Sequence, residues 1–184
     1  MEIGIQEYGH FVFRVYDSSG KLKQEKVAGN TLTSEGSARI LKLAFDSGVT
    51  GTDTGYVGLI DNAGFVSIAT DDQATDIRQT GSTLVNGWGE ILDGSGYTAR
   101  VSGTWSATDN GGTVSASKVT WTDATYTGFG STQTIQGAFL ANSSTVGANS
   151  NASDALFAAA SFSAGDVNVG TSDTLKVTFE MSLA

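Results

Sequence analysis

The chain has no cysteine, no proline, a single histidine, and only 10 lysines and arginines against 19 acidic residues in 184 positions. Without cysteine, disulfides and thiolate metal sites are excluded, which suits a protein made in a reducing cytoplasm. The formal charge is −9, and the cations are dispersed apart from Lys21, Lys23 and Lys26. A nucleic-acid partner would need a basic face, and so would an anionic membrane, so neither is expected as a direct partner. No apolar run exceeds a few residues, which leaves nothing to cross a bilayer as a helix. The opening MEIGIQEYGH lacks a basic region followed by an apolar core, so no secretion signal is expected. With proline missing, the 24 glycines must supply nearly all the turn chemistry.

What is present is a β pattern. Phe11 to Tyr16, the turn Asp17-Ser18-Ser19-Gly20 and Lys21 to Val27 read as a hairpin. The one good helix spans about residues 33–47, capped by Thr33 and closed by Gly48, with Ile40, Leu41, Ala44 and Phe45 on one stripe. Gly36 weakens its first turn. Beyond it the period becomes two. Tyr56–Ile60 is a short strand, and 70–83 is a long polar loop. Tyr97, Ala99, Val101, Gly103 and Trp105 alternate with polar neighbours as one half-buried strand. Asp109-Asn110-Gly111-Gly112 turns the chain into a partner strand at 113–122. Ile135–Leu140 is another strand, 142–153 a loop of small residues, and 155–162 an apolar segment of ambiguous type. Leu175, Val177, Phe179, Met181 and Leu183 alternate most clearly, giving a last strand with one wet face. The expectation is an all-β protein: one antiparallel, jelly-roll-like β-sandwich over residues 11–184, with one short helix packed over an end or edge.

Residues 1–10 precede the first convincing strand. Ile3, Ile5 and Tyr8 alternate with polar residues and glycines, as in an arm that adds to a neighbouring subunit. The alternative, that these residues are the first strand of the same sheet, stands beside it.

Residues that could carry chemistry all have plainer readings. His10 has no G-x-S-x-G elbow or other nucleophile motif to serve. Asp71, Asp72 and Asp76 offer oxygen ligands for calcium but lack the spacing of a calcium loop, and a solvated acidic loop outweighs that reading. Asp109 and Asn110 read as turn chemistry. Glu90 with Asp93, or Glu180, are the carboxylates a glycosidase would use. Trp88, Trp105, Trp121, Tyr97, Tyr126 and Phe129 could stack on sugar, although core packing explains the tryptophans on alternating strands more cheaply. No glycine-rich phosphate loop occurs. No catalytic group, cofactor or metal is expected.

Five short motifs occur in order: Asn30-Thr31-Leu32-Thr33-Ser34-Glu35-Gly36; Tyr56-Val57-Gly58-Leu59-Ile60; Gly87-Trp88-Gly89-Glu90 with Tyr97 and Arg100; Ile135-Gln136-Gly137-Ala138-Phe139-Leu140; and Asp173-Thr174-Leu175 opening a final strand. Together they resemble a group of bacteriophage virion proteins. Trp121 stands where phenylalanine would be expected, and the 142–153 loop is unusually rich in Ser, Asn and Ala. The resemblance implies a non-enzymatic, jelly-roll-like virion component. It points first to a capsid decoration (cement) protein on the capsid surface, bound to the major capsid protein or other virion subunits. A homo-oligomer is implied, with a trimer favoured by three-fold capsid positions. The alternative is a tail or fibre module that contacts host-surface glycan, which would need Trp88, Tyr126 and Phe129 exposed together.

Overall fold

The computed structural model describes residues 7–45, 55–77, 88–91, 93–103, 105–108, 117–147, 155–163 and 165–183. Among them are ten strands and one α-helix. In chain order these are β1 (Glu7–Tyr16), β2 (Leu22–Leu32), α1 (Ser34–Phe45), β3 (Tyr56–Asp61), β4 (Val101–Ser102), β5 (Trp105–Thr108), β6 (Ser117–Thr127), β7 (Gln133–Ala141), β8 (Leu156–Ser161), β9 (Val167–Val169) and β10 (Thr174–Leu183). The strands follow the order β4-β3-β7-β8-β2-β1-β10-β6-β5, with β9 on β7, and every ladder is antiparallel.

One strand makes this path a sandwich. β2 pairs with β1 from Leu22 to Gly29, then with β8 from Asn30 to Leu32. It therefore leaves one sheet for the other, the corner device of strands that switch layers. The front sheet is β2-β1-β10-β6-β5, and the back sheet is β4-β3-β7-β8 with β9. Between them lies the main core: Phe11, Phe13, Val15, Tyr126, Leu175, Val177 and Phe179 face Val57, Leu59, Ile135, Leu140, Ala158 and Ala160. Phe11 packs on Phe179 at 4.7 Å between ring centres with the rings tilted by 46°, and Phe13 meets Phe162 edge-on at 4.6 Å.

The front sheet follows the alternation of its sequence. Phe11, Phe13 and Val15 are buried, while His10, Arg14 and Tyr16 are partly exposed. The β1–β2 turn forms at the expected residues: Gly20 takes φ 82°, and the Asp17 carboxylate accepts the Ser19 and Lys21 N–H groups.

The central strands of the back sheet, β7 from Ile135 on and β8 up to Ala160, are buried on both faces. Ile60, Phe139, Ala141, Leu156 and Ala159 turn away from the main core into a second cluster with Ala74, Ile77 and Trp88. The cover is the segment around residues 65–77 together with Trp88. The polar-looking stretch that begins at residue 70 is thus, in its described part, a lid with one apolar side. This is also why 155–162 had no readable period: β8 (LFAAAS) has a core on each side.

Helix α1 starts where expected. Thr33 Oγ1 accepts the Gly36 N–H at 3.0 Å, and the Ser37 N–H bonds Thr33 O at 2.9 Å. Gly36 is required by packing, since a Cβ there would sit 2.2 Å from the Phe157 carbonyl oxygen. Ile40 packs against the main core beside β8, so the helix closes an edge of the sandwich. Leu41 departs from the expected stripe and is 58 % exposed. Gly48 and the Asp109–Gly112 turn lie outside the described residues.

Two further expectations are corrected. The single strand expected at 97–105 does not exist. Tyr97–Arg100 is irregular, β4 joins β3 in the back sheet, and β5 joins β6 in the front sheet. The chain crosses between the layers there, and Arg100 is buried where alternation put it in water. Residues 7–10 of the expected arm belong to the sheet, because β1 begins at Glu7 and pairs Glu7 with Leu183 and His10 with both Glu180 and Gly29. Tyr8 therefore has its backbone in the sheet, opposite Ser182. Ile3 and Ile5 lie outside the described residues.

Candidate functional site

The most concentrated polar chemistry is a buried network at the end of β3. Its components are residues of the third sequence motif. An isolated antiparallel bridge from Ile60 to Glu90 brings the Glu90 strap beside β3, and the Ile91 N–H bonds Leu59 O at 3.1 Å. The side chains of Glu90 and Arg100 are both 0 % exposed. Arg100 forks onto the carboxylate, Nε to Oε1 at 2.8 Å and Nη2 to Oε2 at 2.9 Å. Tyr97 donates its hydroxyl to Oε1 and accepts the Leu59 N–H at 3.0 Å. The Gly147 N–H donates to Oε2 at 2.7 Å, and Arg100 directs two further donors to the Ser143 and Gly147 carbonyls at 3.0 Å each. Arg100 also lies over the Phe139 ring at 4.9 Å. Burial, followed by the neighbouring Glu90 charge, pushes the Tyr97 hydroxyl well above its ordinary pKa, so it stays a neutral donor. Burial raises the Tyr126 phenol too, and its hydroxyl donates to Val57 O at 2.6 Å.

This arrangement can hold a strap and a loop; it is poorly built to catalyse. A general acid or nucleophile needs a reachable carboxylate, whereas both oxygens of Glu90 are engaged by donors of this chain. The other carboxylates singled out by sequence lie elsewhere. Asp93 accepts the Gly96 and Gly130 N–H groups at 2.8 and 3.1 Å, as turn chemistry does. Glu180 is on β10, 3.3 Å from His10 on the outer face of the front sheet. Sequence alone missed that Glu90, Tyr97 and Arg100 form one unit. Their grouping in one motif was the available signal, but nothing in it said they were buried.

The acidic loop does not converge. Asp71 is exposed. Asp72 points inward, its Oδ2 accepting the Ala69 N–H at 2.9 Å and the Trp88 indole N–H at 2.6 Å. Its Oδ1 is buried without a hydrogen-bond partner, but a single oxygen is not a ligand set. The Asp76 side chain lies outside the described residues. Among the described residues no group of three or more His, Asp or Glu is placed to hold a metal ion, and no helix is long and apolar enough to cross a membrane.

The alternative of an aromatic platform is not met by four of its residues. Trp88, Tyr97, Tyr126 and Phe129 are buried, so they do not present a common surface. Backbone register sets Trp105 opposite Trp121 on β5 and β6; their side chains lie outside the described residues. An open surface hollow of about 510 Å³ does occur where the β1–β2 turn meets the start of β10, lined by Tyr16, Asp17, Ser18, Gly20, Ser172, Thr174 and Lys176. Its carboxylate is occupied: the Ser19 hydroxyl and the Lys21 and Ser19 N–H groups hold Asp17 below the usual carboxylate range.

A further surface is the outer face of the front sheet, which carries Arg14, Lys176 and Glu180. In contrast to the back sheet, no element among the described residues lies over it. Comparison with protein-family models, with curated proteins and with solved structures finds no match for this chain. What stands is the class its fold defines: an antiparallel β-sandwich with, among the described residues, one α-helix.

Proposed function

We propose that the protein is a non-enzymatic structural component of a bacteriophage virion, a capsid decoration protein that adheres to the shell through broad protein contacts. The outer face of the front sheet, over which no element among the described residues lies, carries this reading, because an open sheet face is a surface suited to assembly. The internal engagement of Glu90 and Asp93 supports a role without turnover. The virion itself comes from the order of the five sequence motifs. In this reading Ile3 and Ile5, just ahead of β1, reach a neighbouring virion subunit, with Tyr8 at the root of the contact. Many such contacts on one shell give avidity that no single contact has.

The test is location. Antibody labelling of purified particles is expected to decorate heads; label confined to tails would refute the shell assignment. Deleting residues 2–6 is expected to abolish capture by heads while leaving the melting temperature of the free protein unchanged. A fall of many degrees instead would make that segment part of its own fold.

A further inference from the structure

The hollow at the turn end of the front sheet has walls that the chain holds in place. Tyr16 ends β1 opposite Thr174, the first residue of β10, and these two with Lys176 form its sheet side. The β1–β2 turn and the turn before β10 wall it. Each turn is pinned by its own aspartate. Asp17 accepts the Ser19 and Lys21 N–H groups at 2.9 and 3.0 Å, and Asp173 accepts the Gly170 N–H at 2.8 Å. Lys23 on β2 reaches Asp173 at 2.6 Å and so ties the two walls together. Walls set before a ligand arrives remove an ordering cost from binding. What the hollow offers is hydroxyl groups. Those of Tyr16, Ser18, Ser172 and Thr174 line it, and none makes a hydrogen bond to another described residue. Nearby hydroxyls are spent: Ser19 donates to Asp17 and Thr178 to Asp123, each at 2.6 Å. Lys176 and Asp17, of opposite sign, are the charged lining residues, so the hollow has no surplus charge to select an ion.

We propose that this hollow binds a neutral saccharide, at the exposed end of a glycan. A hydroxyl both donates and accepts, so a group of unspent hydroxyls matches a ligand that itself presents hydroxyls. The Tyr16 ring suits the C–H bonds of a sugar, whose partial positive charge meets the negative face of an aromatic ring. The volume of about 510 Å³ lies within the roughly 300–1,000 Å³ of small-ligand sites. Because the hollow is open and polar, the affinity for one sugar is millimolar. Tyr16 stands nine residues along β1 from Glu7, about 30 Å at the rise of a strand. A shell contact rooted at the Glu7 end therefore leaves the hollow uncovered, and many copies on one particle would multiply a weak affinity. That placement rests on the virion reading; the binding itself does not.

Amide NMR spectra of the free, nitrogen-labelled full chain test it without particles, so its failure is distinct from failure of the virion assignment. The probes are methyl α-D-glucopyranoside, methyl β-D-galactopyranoside and N-acetyl-D-glucosamine, with glycerol as the polyol control and sodium sulfate as the anion control. Each is added to about 50 mM, above an expected dissociation constant of about 1–10 mM. The expected result is saturable shifts at Ser18, Gly20, Ser172 and Thr174 with at least one sugar, and none with glycerol or sulfate. Tyr16→Ala and the near-isosteric Thr174→Val, made separately, should each weaken that binding at least about fivefold. Unchanged amide positions away from the hollow would show that each variant still folds. Val66→Ser, on the cover segment, should leave binding unchanged. No saturable shift with any of the three sugars, shifts centred on other residues, equal shifts with glycerol, or shifts with sulfate alone would overturn the proposal. Sugar binding that survives both Tyr16→Ala and Thr174→Val would overturn it as well.

Discussion

The two sheets are built from similar strands but live in different solvents. In the back sheet, every residue of β7 from Ile135 to Ala141 and of β8 from Leu156 to Ala160 is buried, because a core lies on each side. In the front sheet, β10 alternates between buried and partly exposed residues, and β1 does so apart from Val12, which is buried with Phe11 and Phe13. The difference is energetic as well as geometric. Covering the back sheet required burying polar backbone and charge, and the molecule meets that cost with specific hydrogen bonds. Glu35 Oε2 accepts the Ala74 N–H at 2.8 Å and the Leu156 N–H at 2.7 Å, tying helix, cover and β8 together. Glu90 and Arg100 do the same for the strap and the 143–147 loop. The front sheet needs no such devices, since water satisfies its outer face.

The largest effect should come from breaking the back side's charge pair. Arg100→Met leaves Glu90 buried and unpaired, and is expected to cost about 3–5 kcal/mol. For a chain of this size that lowers the melting temperature by roughly 6–20 °C in calorimetry. Replacing both partners by apolar residues of similar volume, Glu90→Leu with Arg100→Met, should recover much of the loss. A double variant as unstable as the single would show that the Tyr97 and Gly147 contacts matter more than the charge.

Gly36→Ala sets two effects against each other. Alanine favours a helix over glycine by about 1 kcal/mol. The added Cβ, however, meets rigid backbone at Phe157, and overpacking of that kind costs about 1–3 kcal/mol. Net destabilisation is expected in denaturant unfolding; a more stable variant would mean that the helix does not press on β8 as described.

A smaller, pH-dependent effect is expected at the front. Hydrogen bonds from Lys23 Nζ at 2.6 Å and the Gly170 N–H at 2.8 Å hold the Asp173 carboxyl below its ordinary range. Its folded pKa is depressed, so its contribution is fully present above the unfolded value of about 3.9 and is lost as pH falls through the lower folded value. Asp173→Asn should cost about 1 kcal/mol at neutral pH, since Lys23 is 46 % exposed and water screens the pair. The difference between the two proteins should shrink below about pH 4; an acid unfolding curve that keeps them apart would contradict this assignment. Smallest of all, Thr125→Val on the bare face should shift stability by no more than about 0.5 kcal/mol. A larger change would mean that this face is not simply solvated in the free protein.

Local chemistry was legible in the sequence wherever one side of an element meets water. Alternation in β1 and β10, the Asp17–Gly20 turn, and Thr33 as the helix cap are short-range consequences of residue type, so they could be read without coordinates. Asp173, Glu90, Tyr97 and Arg100 were visible as motif members, but their jobs were not. A carboxylate looks the same in sequence whether it caps a turn, is solvated, or is buried on an arginine. Tertiary structure decided which. It sent β2 from one sheet to the other, split 97–105 between two layers, folded the segment around 65–77 over the back sheet, and buried Trp88, Tyr126 and Phe129. Each of those outcomes depends on residues far apart in the chain meeting in space, and no local period records such meetings.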